Sequence, residues 1–479
     1  MTIARASEGT PVPVSFCAEG DRRIILWAAI LASSMGFIDS SVTSIALPAM
    51  REALGASLPQ AQWINAAYLL AVSSLVLVGG AMGDRFGIAR IFSLGILVFV
   101  VGSLACAFAV TPEQMIAARA VKGVGAAMMV PGSMAMISRA YPRAQRGRAL
   151  GVWAGASTLT TAMGPVIGGM FVTWGGELGW RMVFALNLPL GLIALWLVQG
   201  RTPGDIGRPG VRVDLPGAGL ATLGLGLMAW ALTEATAPAW VPLAALASLG
   251  AFLAWEAVAP APMLRLGLFR NRTFAVTNVV TFVLYFALNG VMFYLPMTAV
   301  TAWNVTALEV TAAFLPISIL IGLLSAPAGR MADRWGAGPL MAAGSALVAV
   351  AYAGLWHFAP DGQFWTHVVP FTALAGLGLG LVVAPLTAAA MQGAEDAEQG
   401  AASGVNNAVA RVAGLIAVAL LGRLAAEAYG PGSPGFGVTG DSPAHLAATG
   451  AAFGSVALAS SLMAALAAVL ALLVKRPVR

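Results

Sequence analysis

Residues 80–87 read GAMGDRFG and residues 329–336 read GRMADRWG. The two octets share Gly80 with Gly329, Met82 with Met331, Asp84 with Asp333, Arg85 with Arg334 and Gly87 with Gly336, 249 residues apart. A second pair, RGRALGV at 146–152 and QGAASGV at 399–405, repeats at a separation of 253. Two nearly equal offsets imply a chain built from two related halves, an arrangement that puts a ligand site at the interface between them.

Each repeat lies among long apolar runs. Of 479 residues 59% are apolar and only 10% charged, with a mean hydropathy of +0.85, against about 25% charged in a soluble domain. This excludes a soluble globular protein. Runs of about 20 apolar residues recur along the whole chain, each long enough to cross a bilayer as a helix. About fourteen can be placed, and the repeats pair the second run with the tenth and the fifth with the thirteenth. The expected fold is therefore all-α and integral to the membrane. It comprises a polar tail at 1–23, a six-helix bundle at 24–200, a linker with two extra helices at 201–272, and a second six-helix bundle at 273–479.

The charges orient this arrangement. With both termini placed in the cytoplasm, twenty of the 26 Lys and Arg residues fall on the cytoplasmic side, three on the other side and three inside spans, as the positive-inside rule requires. The expected location is the plasma (inner) membrane, multi-pass, with cytoplasmic ends. The acidic stretch GAEDAEQG at 393–400 breaks the pattern. The net charge of +6 is topological in origin, so no nucleic-acid partner is expected. Two cysteines, Cys17 and Cys106, provide no disulfide framework or metal spacing. His357, His367 and His445 fall in or beside the outer loops, which argues against an intramembrane metal site.

Inside the spans, Asp39 stands about 15 residues into the first run, roughly 22 Å from its start. A carboxylate at that depth costs about 2.5–3.5 kcal/mol to insert. It either binds and releases a proton or is fixed to a cation. Arg119 and Lys122 are three residues apart on the fourth helix and so share a face. Both are expected to look into an aqueous cavity, the alternative for Arg119 being to snorkel towards the outer interface. Arg411 lies near midspan in the thirteenth run. Gly164, Gly168 and Gly169 permit close helix approach while Pro165 interrupts the hydrogen-bond ladder. The 80–87 loop is either a latch, with Asp84 capping a helix or pairing with an arginine of the neighbouring bundle, or a solvated turn, and its recurrence favours the latch. On that reading Asp84, Arg85, Gly87, Asp333 and Arg334 form the latch. Trp63, Tyr68, Asn278, Tyr285, Asn289, Asn406 and Asn407 are candidates, with Lys122 and Arg411, for lining the cavity.

Together these segments resemble the major facilitator superfamily, and within it the fourteen-helix drug:proton antiporter family, over nearly the whole chain. GAMGDRFGIAR looks like the superfamily's loop motif, with Ile88 and Ala89 where basic residues are usual. RAVKGVGAA resembles its helix-four motif, with Lys122 in place of glutamine. GPVIGG is similar to the antiporter motif of helix five, Thr160 replacing the glycine that normally opens it. DSSVTSIALP, GWRMVFALNLP at 179–189 and LFRNRTF at 268–274 also look like family segments. The resemblance implies export of small amphipathic compounds by alternating access, driven by inward proton flow, with Asp39 titrating and Arg119 coupled to it. No cofactor is expected beyond the proton gradient, and a monomer suffices. One carboxylate against three cations within the spans points to anionic, zwitterionic or neutral substrates. Rival readings are an importer of the same fold and a non-transporting receptor or scaffold. An embedded enzyme is disfavoured, because the spans hold no catalytic motif and no carboxylate pair.

Overall fold

A computed structural model describes residues 16–392, 399–432 and 434–474; the tail through residue 15 and most of the acidic stretch at 393–400 lie outside the described residues. The helices are α1 (Arg22–Leu54), α2 (Leu58–Phe86), α3 (Ile88–Phe108), α4 (Pro112–Ala140), α5 (Arg143–Trp174), α6 (Gly179–Ala185), α7 (Asn187–Val198), α8 (Leu215–Thr233), α9 (Trp240–Val258), α10 (Arg272–Ala302), α11 (Ala307–Trp335), α12 (Ala337–Phe358), α13 (Val369–Gln392), α14 (Gln399–Tyr429) and α15 (Pro443–Ala471). Helices α6 and α7 abut at Leu186, giving fourteen rods. Thirteen of these are long and apolar enough, among the described residues, to cross a membrane. The exception is α5, whose apolar content is diluted by Ser157, Thr160, Thr161 and its glycines.

The two halves repeat in three-dimensional detail. A capping box starts α2, where Ser57 and Gln60 satisfy each other's backbone N–H, and Thr306 and Glu309 form the same box at α11. The turn after α2 needs a positive φ at Gly87 (106°), and the turn after α11 needs one at Gly336 (89°). Gly95 of α3 packs on the Gly125 carbonyl of α4, and Gly344 of α12 packs on the Gly378 carbonyl of α13. Small residues bring the backbones together where lipid offers no hydrophobic drive.

Helices α1–α7 pack as one bundle and α10–α15 as the other. The α8–α9 hairpin lies across α2 and α14, and the bundles meet along α5–α11, α2–α14 and α1–α10. Helix alternation puts the start of α1 and the end of α15 on one side, here the terminal face. At the opposite, far face, Gly169 of α5 sits against Ala307, Leu308 and Thr311 of α11, and Leu308 N donates to Thr173 Oγ1 at 3.1 Å. Towards the terminal face, Gly147, Gly151 and Gly155 of α5 and Gly329 of α11 face open space. The bundles are thus joined at the far face and part along the α5–α11 edge.

Candidate functional site: a buried charge triad behind a central cleft

Asp39 lies midway along α1, where its carboxylate takes Arg119 Nη1 on Oδ2 at 2.6 Å and Lys122 Nζ on Oδ1 at 2.5 Å, all three side chains being fully buried. Arg119 Nε also donates to the Ile64 carbonyl at 3.0 Å, and its guanidinium lies 4.5 Å from the centre of the Tyr68 ring. The Lys122 ammonium sits between the rings of Phe99 and Phe184, 4.7 and 4.8 Å from their centres. Two aromatic faces and one carboxylate therefore replace the water this cation would otherwise require. Gly123 makes room by meeting α2 at Tyr68 and Ala71, and Gly102 meets the α4 backbone at Lys122.

Tyr68 covers Arg119 on one side. On the other it lines a cavity of ≈ 80 Å³ between the bundles, together with Ser40, Ser44, Asn65, Leu69, Asn289, Met292 and Phe293. Arg411 of α14 lies within electrostatic reach of Tyr68 and Tyr285 and donates from Nε to Asn407 Oδ1 at 3.1 Å. Among the described residues, the lining of the cavity contains no carboxylate. The triad thus stands one side chain behind the cleft wall.

Four sequence expectations need correction. Lys122 does not look into the cavity: it is sealed inside the N-terminal bundle with Arg119. Trp63 packs against the α8 side with Ala66, Leu225 and Leu415. Asn278 and Asn406 bond each other at 3.2 Å, and Asn406 also donates to Thr281 at 2.7 Å, so their amides bind α14 to α10. Asp84 pairs with Arg139 of its own bundle at 3.5 Å, both partners exposed, rather than with the other bundle. Arg85 lies over the Phe86 ring, and Asp333 and Arg334 are exposed. Tyr68 and Asn289 do line the cleft. In α5, Gly164 and Gly168 back onto Ser41 and Val42 of α1, one turn from Asp39, while Gly169 touches α11.

Sequence reading missed a helix cap in the linker and a set of hydrogen bonds at the far face. Asp205, in the linker, caps α3 by accepting from Ile88 N at 2.7 Å, Ala89 N at 2.8 Å and Arg90 N at 3.2 Å. At the far face, Gln62 Nε2 donates to Tyr294 Oη at 2.8 Å and to the Val418 carbonyl at 2.9 Å, and Arg51 Nη1 donates to the Phe436 carbonyl at 2.7 Å. These bonds cross between bundles. Their sequence signal was a polar residue at the outer end of a span, easily read as an interfacial anchor.

Two pseudo-repeated bundles around a polar cleft, with a buried charge cluster beside it, define a secondary transporter of the membrane. The chain belongs to the Major Facilitator Superfamily, whose profile matches residues 29–418. It is 30% identical to the methylenomycin A resistance protein of Bacillus subtilis over 83% of this chain and 86% of that protein. It is 31% identical to the cephamycin export protein of Amycolatopsis lactamdurans over 82% of this chain and 84% of that protein. Among solved structures it resembles a bacterial homologue of the human lysosomal transporter Spinster, described as inward-facing and unoccupied. The TM-score is 0.69 at 15% identity, covering 95% of this chain and 97% of that one. The protein is thus a multi-pass membrane transporter for small molecules, and not an enzyme.

Proposed function

We propose that the protein exports small amphipathic compounds, anionic, zwitterionic or neutral, in exchange for protons, working as a monomer in the inner membrane with its terminal face in the cytoplasm. The observation that carries this reading is the position of Asp39. Its carboxylate is held by α4, its helix is braced at Ser41 and Val42 by Gly164 and Gly168 of α5, and the next glycine of α5, Gly169, makes the far-face contact with α11. A proton on Asp39 loosens its hold on Arg119 and Lys122, and any shift of α1 against α4 is passed through α5 to the bundle contact. A substrate in the cleft touches Tyr68, whose other face covers Arg119.

In the cycle, Asp39 takes a proton when the far face is open, which favours return to the present form. Substrate binding and proton release at the terminal face then favour the outward form. One charge crossing 100 mV supplies about 2.3 kcal/mol, enough for roughly a fifty-fold gradient of a neutral solute. The substrate class rests on a cleft with no carboxylate among its described lining residues and with Arg411 within electrostatic reach of its Tyr68 wall, which makes an unpaired cation costly to bury. The antibiotic resistance and export roles of the relatives support export over import.

The test is proton movement in energised inside-out vesicles carrying wild type or Asp39→Asn, challenged with matched cationic, neutral and anionic amphiphiles. The expected result is proton efflux evoked by neutral or anionic compounds and lost in the variant. Silence across the panel, or a variant equal to wild type, overturns the coupling role; a response confined to cations overturns the substrate class.

A further inference from the structure

At the base of the α8–α9 hairpin, two acidic side chains are buried together. Asp214 ends the linker and caps α8: its Oδ1 accepts from Gly217 N at 2.9 Å and from Trp255 Nε1 of α9 at 2.8 Å. Glu256, beside Trp255, accepts Leu264 N on Oε2 at 3.0 Å. The second oxygens, Asp214 Oδ2 and Glu256 Oε1, are buried and have no partner. Asp214 is 8% exposed and Glu256 3%. Both unpartnered oxygens converge on Gly217, where a Cβ would stand 2.5 Å from Oδ2 and 2.7 Å from Oε1. The flanking charged residues along the chain are Arg212 and Arg265; among the described residues, no cation forms an ion pair with Asp214 or Glu256. Trp255, on α9, offers only its indole N–H, already given to Asp214.

Two buried carboxylates placed side by side, with no counter-ion among the described residues, cannot both be ionised. Each has its backbone and indole donors on one oxygen only, so the missing donor lies between the other two. We propose that Asp214 and Glu256 bind one shared proton, and that this proton ties the segment entering the α8–α9 hairpin to the segment leaving it. The entering segment is fastened to the N-terminal bundle, through Asp205 on the start of α3 and Arg208 N on the Asp84 carbonyl at 2.8 Å. The leaving segment passes from Leu264 to Leu268, which packs with Phe274, Ala402 and Val405 of the C-terminal bundle. The pair therefore sits where the tethers of the two bundles meet. Loss of the proton to water at the terminal face leaves two adjacent anions, and the brace between entry and exit loosens. The extra hairpin thereby becomes a proton-dependent strap across the bundles, and this holds whether or not Asp39 couples transport.

The experiment is infrared titration of the purified full-length protein in detergent, with thermal unfolding followed over the same range of pH. Wild type should show a protonated-carboxyl stretch that disappears as the pH is raised, with the unfolding temperature falling in step. The band should persist in Asp39→Asn and be absent from both Glu256→Gln and Asp214→Asn. In Glu256→Gln the amide can donate to Asp214 at any pH, so its unfolding temperature should lose the wild-type slope. A wild-type band missing at every pH overturns the proposal, as does a Glu256→Gln slope matching wild type. Recovery of the alkaline unfolding temperature by sodium or magnesium chloride, but not by choline chloride at equal ionic strength, would instead make the pair a metal-cation site and overturn it too.

Discussion

The two buried charge clusters of this molecule follow opposite plans. In the N-terminal bundle one carboxylate, Asp39, is gripped by two cations. At the base of the α8–α9 hairpin two carboxylates face each other, and each leaves one oxygen without a donor. The first cluster has its counter-charges built in and changes only when a helix moves, since proton uptake there requires a cation to withdraw. The second lacks a donor and, on our proposal, changes when the pH moves while the helices stay in place. Depth accounts for the contrast. The triad lies at midspan, where a lost counter-ion cannot be replaced by water, whereas the carboxyl pair lies at a helix end beside a loop.

The largest effect should come from removing the anion of the first cluster. Asp39→Asn leaves two buried cations without a counter-charge, a loss of about 3–5 kcal/mol by analogy with other broken buried pairs. Its unfolding temperature in detergent should fall well below wild type, and a near-wild-type value would show that water reaches the triad. Lys122→Gln should be milder, within about 1–2 kcal/mol. Asp39 keeps Arg119, the cluster becomes neutral, and the amide can still donate to the carboxylate. If Lys122→Gln were as damaging as Asp39→Asn, Lys122 would be the indispensable partner.

An intermediate effect is expected where the bundles close. A leucine at 169 would occupy the space of Ala307, Leu308 and Thr311, and overpacking of this kind costs about 1–3 kcal/mol. Because the strain exists only while the far face is shut, Gly169→Leu should shift the population outward. Alkylation of a cysteine introduced at Ser44, applied from the far face, should quicken several-fold in this variant. An unchanged rate would show that α5–α11 contact does not govern access.

The fold was legible because its determinants are periodic and repeated: apolar runs, a 249-residue offset and an asymmetric distribution of arginines. Asp39, Arg119 and Tyr68 were legible because polar groups inside apolar runs stand out. What escaped was direction. Spacing placed Arg119 and Lys122 on one face but could not say that Phe99 and Phe184 would close over the lysine. Nor could it say that Trp63 would turn to α8 or that Asn278 and Asn406 would bond each other. Asp205 and the Asp214–Glu256 pair escaped for another reason. Each acts across a loop, and an acidic residue in a Gly/Pro-rich linker looks the same whether it is solvated or capping a helix that began 117 residues earlier in the chain.

The smallest expected effect compares the two halves directly. Helices α3 and α12 both begin after a glycine of positive φ, Gly87 and Gly336. Among the described residues, the first amides of α3 are covered by a carboxylate from the linker, and those of α12 have no side-chain cap. Removing a cap of this type costs about 1 kcal/mol, and the charge adds a few tenths through its position at the helix N-terminus. Asp205→Ala should therefore barely move the unfolding temperature but should expose the amides of Ile88, Ala89 and Arg90 to hydrogen exchange. Their rates should rise towards those of the equivalent first turn of α12, which serves as an internal reference. If the α3 amides of the variant stayed better protected than those of α12, the glycine turn itself would account for the difference between the halves. The linker would then be a passenger on the N-terminal bundle rather than its clamp.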